Sequence, residues 1–166
     1  MAGLIQELIE NLNTTIAVYD ELTNLAREKK SLIIDNDVEN IKRVTQLETD
    51  IVSAAARIDK ERVGIIKDVC QVLGKSEKDM TLTLLAEIIS NQTEHEEYAA
   101  LVDKIKASAD ALQEANETNK NLILGALDYI EFNINAIRSS IDSSPAGYDK
   151  SGEEYRESGG FLDING

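Results

Sequence analysis

The sequence predicts an all-α fold: an elongated antiparallel bundle of three long, coiled-coil-like helices with one short extra helix and a disordered C-terminal tail. Three observations carry this. Apolar residues recur at alternating spacings of three and four over most of the 166 residues. Aromatics are only 4% of the chain and Trp is absent, although 42% of residues are hydrophobic, so the core must be built from Leu, Ile, Val and Ala. Proline occurs once and glycine is sparse before the C-terminus, which leaves too few turn residues for a compact β or α/β domain.

The first helix is expected at about residues 3–34. Ile5, Leu8, Leu12, Thr15, Tyr19, Leu22, Ala26, Lys29 and Ile33 form its seam. Leu4, Val18, Leu25 and Leu32 flank the seam on one side, Ile9 and Ile16 on the other. A seam with two apolar flanks is wider than a two-stranded coiled coil requires, so this helix should touch at least two neighbours. It ends at "DNDVEN". Asp35, Asn36 and Asp37 have short side chains that compete for backbone N–H groups, and Asn36 with Glu39 has capping-box spacing. So short a connection makes the flanking helices antiparallel neighbours.

The second helix is expected at about 37–73, with its seam on Ile41, Val44, Glu48, Ile51, Ala55, Ile58, Arg62, Ile65, Val69 and Val72. Glu48 and Arg62 are wrong for a core and lie about 21 Å apart along the helix, too far to pair with each other. Either both snorkel at the bundle edge, or each pairs with another helix and fixes register. Gly74 supplies a stop. A short amphipathic helix follows at about 80–90. Thr93 and Glu96 then have capping-box spacing ahead of a last helix at about 93–141.

The seam of this last helix runs Leu101, Ile105, Ala109, Leu112, Asn116, Asn119, Ile123, Leu127, Ile130, Ile134, Ile137, Ile141, a mean step of about 3.64 residues. Asn116 and Asn119 fall on it. Gly125 costs about 1 kcal/mol relative to Ala and serves either close packing or a bend. The helix exceeds the second by about 18 Å, so its C-terminal part is expected to overhang the hairpin with apolar residues uncovered. The expected domain organisation is thus a helical bundle over 1–141 and a flexible acidic tail over 142–166, where periodicity ends.

The net charge of −14 opposes nucleic-acid binding and attraction to an anionic membrane surface. No apolar stretch approaches the ~18 residues of a membrane span, and no basic segment precedes the first apolar residues, so membrane insertion and a signal peptide are not expected. Cys70, alone in the chain, is expected to pack as a small apolar residue, which suits the cytosol. No catalytic constellation stands out. His95 is the single histidine, expected on the solvated surface, and neither a metal site nor a cofactor is expected. The chain does not read as an enzyme.

Three stretches resemble the FlgN-type flagellar export chaperone family. In "YDELTNLAREKKSLIIDNDVENIKRVTQLETDIVSAAARIDKERVGII" a Leu-rich helix ends in a Lys-rich turn, and an acidic break precedes a helix with a Glu midway and an Arg near its end. The corresponding residues are Lys29 or Lys30, Asp37, Glu48 and Arg62. In "LQEANETNKNLILGALDYIEFNINAI", Asn116 and Asn119 match an Asn-x-x-Asn ahead of an apolar helix. Tyr148 and Gly152 are similar to a Tyr-x-x-x-Gly tail. Arg62 is followed by a longer and more apolar stretch than the family pattern leads one to expect.

The resemblance implies a cytosolic chaperone that holds unpolymerised hook-filament junction (hook-associated) proteins through their C-terminal helices and delivers them to the type III export gate. It implies no nucleotide or metal. It places client binding on the last helix, where Ile123, Leu127, Ile130, Ile134 and Ile137 supply the apolar stripe, and export-gate docking on Tyr148. The alternative is a self-associating structural coiled-coil protein without a client, a homodimer closed by the same isoleucines.

Overall fold

The computed structural model describes residues 2–89, 94–142, 147–148 and 154–155. The chain divides into two units, 1–122 and 123–166. The fold is all-α. Helix α1 spans Ala2–Ile34, α2 Val38–Leu73, α3 Leu82–Ile88 and α4 His95–Asp142, with a 3₁₀ turn at Glu77–Asp79.

In the first unit the direction of each helix can be read from side-chain pairs. Thr15 and Lys29 of α1 meet Arg62 and Glu48 of α2, in reversed order, so these helices are antiparallel. Asp20 and Ala26 of α1 meet Ser108 and Asn119 of α4 in the same order, so α1 and α4 run parallel. The architecture is an up-down-up bundle. Its largest buried cluster lies at one end, where Ile5, Leu8, Ile9, Leu12 and Ile16 meet Ile65 and Val69, then Leu85, Ala86 and Ile89, then Tyr98, Leu101, Val102 and Ile105. The short α3 thus closes the core. Each fully buried Leu or Ile there contributes about 1.5–3 kcal/mol relative to exposure.

The turn between α1 and α2 works by a different division of labour from the expected Asn36–Glu39 capping box. Asn36 adopts φ 57, in the left-handed region. Its N–H donates to Ile33 O at 3.2 Å, and that of Asp37 to Leu32 O at 2.9 Å, the paired bonds of a Schellman stop. Asp37, not Asn36, is the N-cap of α2 and accepts from Asn40 N at 3.1 Å and Asn40 Nδ2 at 2.7 Å. Asn can do what Gly usually does because its short polar side chain tolerates positive φ. Gly74, φ 63, ends α2 with the same pair of bonds, to Gln71 O and Cys70 O.

Hydrogen bonds from the Asn40 side chain and backbone hold the Asp37 carboxyl below its ordinary value of 3.8. A lowered folded-state pKa contributes stability that is present above the unfolded value and lost as pH falls through the folded one. Asp37→Asn should therefore keep the cap but remove this acid sensitivity. Urea midpoints of the two proteins between pH 6 and pH 2 check this: the wild type should lose stability relative to the variant only below about pH 4.

The seam of α1 is buried or half-buried at every expected position. That of α2 departs at Val72, which is 58% exposed, while Cys70 is buried as expected of a small packing residue. In α4 the inward face follows Leu101, Ile105, Ser108, Leu112, Ala115, Asn119 and Leu122, all buried or half-buried. This is a strict heptad, and Asn116 is left exposed. A supercoiled contact repeats every 3.5 residues, so a 3.64-residue reading drifts off the contact face within a few turns. The side chain of Thr93, half of the expected second capping box, and Ser90, the end of the expected short helix, lie outside the described residues.

The second unit holds residues 123–142 of α4 and a two-residue antiparallel pair, β1 (Gly147–Tyr148) with β2 (Glu154–Tyr155). Tyr148 pairs with Glu154. The expected flexible tail did not anticipate this pairing, since two-residue strands carry no readable alternation. The rest of the tail, Gly152 included, lies outside the described residues.

Candidate functional site

Two sets of residues stand out, and they do different things. The first set carries the family-like pattern and holds the helices in register. Glu48 forms an ion pair with Lys29, their side chains 17% and 15% exposed. Arg62 pairs with Asp59 on its own helix and donates from Nη1 to Thr15 Oγ1 at 3.0 Å. Thr15 in turn donates to Asn11 O at 2.9 Å, and Asn11 Nδ2 reaches Ile58 O at 3.0 Å. Neither of the two charges in the α2 seam snorkels: Glu48 pairs its charge across to α1, while Arg62 pairs within α2 and reaches α1 through the Thr15 hydroxyl. The Lys29–Glu48 pair fixes register because a shift of one turn would strand a part-buried charge. Asn119 makes the equivalent clamp between α4 and α1, its Nδ2 donating to Ala26 O at 2.7 Å. Asn11 and Asn119 each leave a buried Oδ1 without a partner, so these clamps cost stability relative to a fully satisfied amide.

The second set is apolar and exposed. Ile123, Leu127, Ile130, Ile134 and Ile137 lie on one face of α4 in the second unit and are 43–56% exposed. A helix is built there for ordinary reasons: no Pro interrupts it, and Leu and Ala recur among the isoleucines. Gly125 does not serve close packing among the described residues, for a Cβ there would meet nothing within 4 Å. Tyr129 and Phe132, which sequence reasoning missed, are exposed on this helix as well. Their signal was an i, i+3 spacing two residues out of step with the isoleucines. Tyr148 sits apart from this face in sequence, in β1.

The remaining polar chemistry is sparse. His95 is half-buried at the start of α4, not solvated as expected, and its Nδ1 has no hydrogen-bond partner. Burial pushes the Cys70 thiol up, which makes it a packing residue rather than a nucleophile. Among the described residues no group of three or more His, Cys, Asp or Glu could hold a metal ion. No described helix is long and apolar enough to cross a membrane. The open cleft between α1 and α4 is rimmed by Arg27, Lys30 and Glu114 around Ala26, Ala111 and Ala115, a shallow charged surface without convergent groups.

The arrangement has the features of a recognition surface. Part-buried pairs hold a helical scaffold, and an apolar helix face is presented to solvent, the geometry of helix-in-groove or helix-on-helix recognition. No curated protein sequence and no solved structure matches the chain. A family model described as FlgN protein matches residues 1–156.

Proposed function

The chain belongs to the FlgN family of flagellar export chaperones, and from that premise we propose that it binds the C-terminal helices of hook-associated proteins through Ile123, Leu127, Ile130, Ile134 and Ile137. The observation that supports this most directly is the exposure of five large aliphatic side chains on one helix face. Isolated exposed apolar residues are ordinary, but a contiguous stripe marks an interaction surface.

A client helix lying on this stripe would be held soluble, and its own apolar face would be withheld from assembly. Release would then occur at the type III export gate, with Tyr148 as the docking residue. The chaperone works in the cytosol, where the clients are made. Binding needs no nucleotide or metal, because burial of apolar surface supplies the free energy.

Calorimetry against the C-terminal segments of the hook-associated proteins from the same organism tests the proposal, with a chain truncated before Tyr148 as control. Saturable one-to-one binding that survives truncation is the expected result. No binding to any segment, with a concentration-dependent dimer of the chain alone, would favour the self-associating coiled coil instead.

A further inference from the structure

The apolar surface of residues 123–140 is not confined to the isoleucine face. Gly125, Tyr129, Phe132 and Ala136 repeat the same alternation of four and three, two residues out of step with Ile123, Leu127, Ile130 and Ile134. Two residues of α-helix correspond to a rotation of about 200°. The second stripe therefore runs along the opposite side of the helix. Its two rings are 67% and 69% exposed, more than any of the five aliphatic residues. At Gly125 open space stands where a side chain would be.

Charge is distributed to match. Residues 123–140 contain three charged side chains, Asp128, Glu131 and Arg138. At about 100° per residue these fall within roughly 80° of one another, which leaves about 280° of the circumference uncharged. A surface helix of a globular protein shows an apolar stripe little more than about 100° wide. Here Asn133 and Ser140 separate two apolar stripes on opposite sides, which together exceed the width that one packed face needs.

A single docking helix buries one stripe. It would cover the isoleucines and leave Tyr129 and Phe132 in water. A second copy of this chain does no better, since a two-fold pair uses the same stripe on both copies and leaves the opposite one bare. We infer that the partner of residues 123–140 presents two helical segments, one seated on the Ile123–Ile137 stripe and the other on the Gly125–Tyr129–Phe132–Ala136 stripe. The Asp128–Glu131–Arg138 ridge then remains in solvent where the two segments part. The segment on the second stripe carries aliphatic residues that straddle the two rings, and it approaches closely at Gly125, where no Cβ intervenes. This inference rests on the client-binding reading above and adds the number and placement of the client's segments.

The test uses the full-length chain and two probes: an intact hook-associated protein and its C-terminal helix alone. Calorimetry is run with the wild type, with Tyr129→Asp/Phe132→Asp, and with Ile130→Asp/Ile134→Asp. Circular dichroism confirms that the exposed substitutions leave the helix content unchanged. The expected result is that the aromatic variant loses about tenfold or more in affinity for the intact protein, in line with the loss of anchor residues, and binds the single helix as the wild type does. Wild-type affinity of the aromatic variant for the intact protein would overturn the inference, and would leave the client-binding reading standing if the isoleucine variant fails to bind. Equal losses for the single helix and the intact protein would overturn the two-segment geometry, because one segment would then span both stripes. A dimer of the chain alone, converted to monomer by the aromatic substitutions with client affinity intact, would assign the second stripe to self-association and overturn the inference. Loss with neither variant would remove the client-binding reading itself.

Discussion

Replacing Ile130 and Ile134 together by Asp should weaken binding of a hook-associated C-terminal helix by about 100-fold or more. Each isoleucine buried against a partner contributes about 1.5–3 kcal/mol, so two removed together cost about 3–6 kcal/mol, before the penalty of desolvating two carboxylates. The same substitutions should leave stability nearly untouched. Both side chains are already exposed, at 52% and 44%. Surface changes of this kind stay within about 0.5 kcal/mol, or roughly 1–2 °C in Tm for a chain of this size. Calorimetry and thermal melts on the same preparation separate the two effects. A variant that binds like the wild type would rule out this surface. One that binds poorly but also melts early would show that the residues pack within the chain.

The second large effect lies in the core. Tyr98 is fully buried at the start of α4, and its hydroxyl donates to Leu82 O at 3.1 Å, tying α4 to α3. Tyr98→Ala should cost about 3–5 kcal/mol, from lost burial and from the cavity left among Leu85, Ile89 and Leu101. That is a large fraction of the total stability of a domain, about 5–15 kcal/mol. Tyr98→Phe keeps the packing and should cost only about 1 kcal/mol for the hydrogen bond. Chemical denaturation at neutral pH ranks the three proteins.

The tyrosine also carries an alkaline signature. Burial pushes its hydroxyl well above the ordinary 10.0, opposed only in part by the Arg62 charge. A raised folded-state pKa contributes stability that is complete below the unfolded value and lost as pH rises past it. The advantage of wild type over Tyr98→Phe should therefore shrink above about pH 10. An advantage that stays constant to pH 11 would show that the phenol ionises as readily in the folded chain as in the unfolded one.

How much of this was legible beforehand varies along the chain for physical reasons. The α1 seam was readable at every position because an amphipathic stripe is a local property of spacing. The turn was readable as a turn, since Asp35, Asn36 and Asp37 compete with the helix wherever they occur. Which of them caps and which takes positive φ was not, because that depends on the angle at which the chain leaves α1. The α4 seam was readable at Leu101, Ile105, Leu112 and Asn119 but took Ala109 and Asn116 for Ser108 and Ala115, since supercoiling is imposed by the neighbouring helices and not by the strand of residues itself. Val72 turned outward for a related reason: near a helix end, the neighbours decide which side faces in.

The functional surface divides in the same way. Ile123, Leu127, Ile130, Ile134 and Ile137 could be picked out from periodicity, whereas Tyr129 and Phe132 could not. Against a bundle helix, aromatics off the seam read as edge residues, and only their exposure in the structure marks a second face. Glu48 and Arg62 were visible as anomalies, yet their partners Lys29 and Thr15 lie 19 and 47 residues away and are brought to them by the hairpin.

The sequence by itself determined the helices, the hairpin and the isoleucine stripe. All of these follow from the order and spacing of side chains over a few turns. Only the tertiary structure decided that α1 and α4 run parallel, that Asn119 faces inward and Asn116 does not, that α3 and Tyr98 close the core, and that His95 is half-buried. Each of these depends on which backbone reaches which side chain across the bundle, and contacts between residues distant in sequence leave no periodic trace in it.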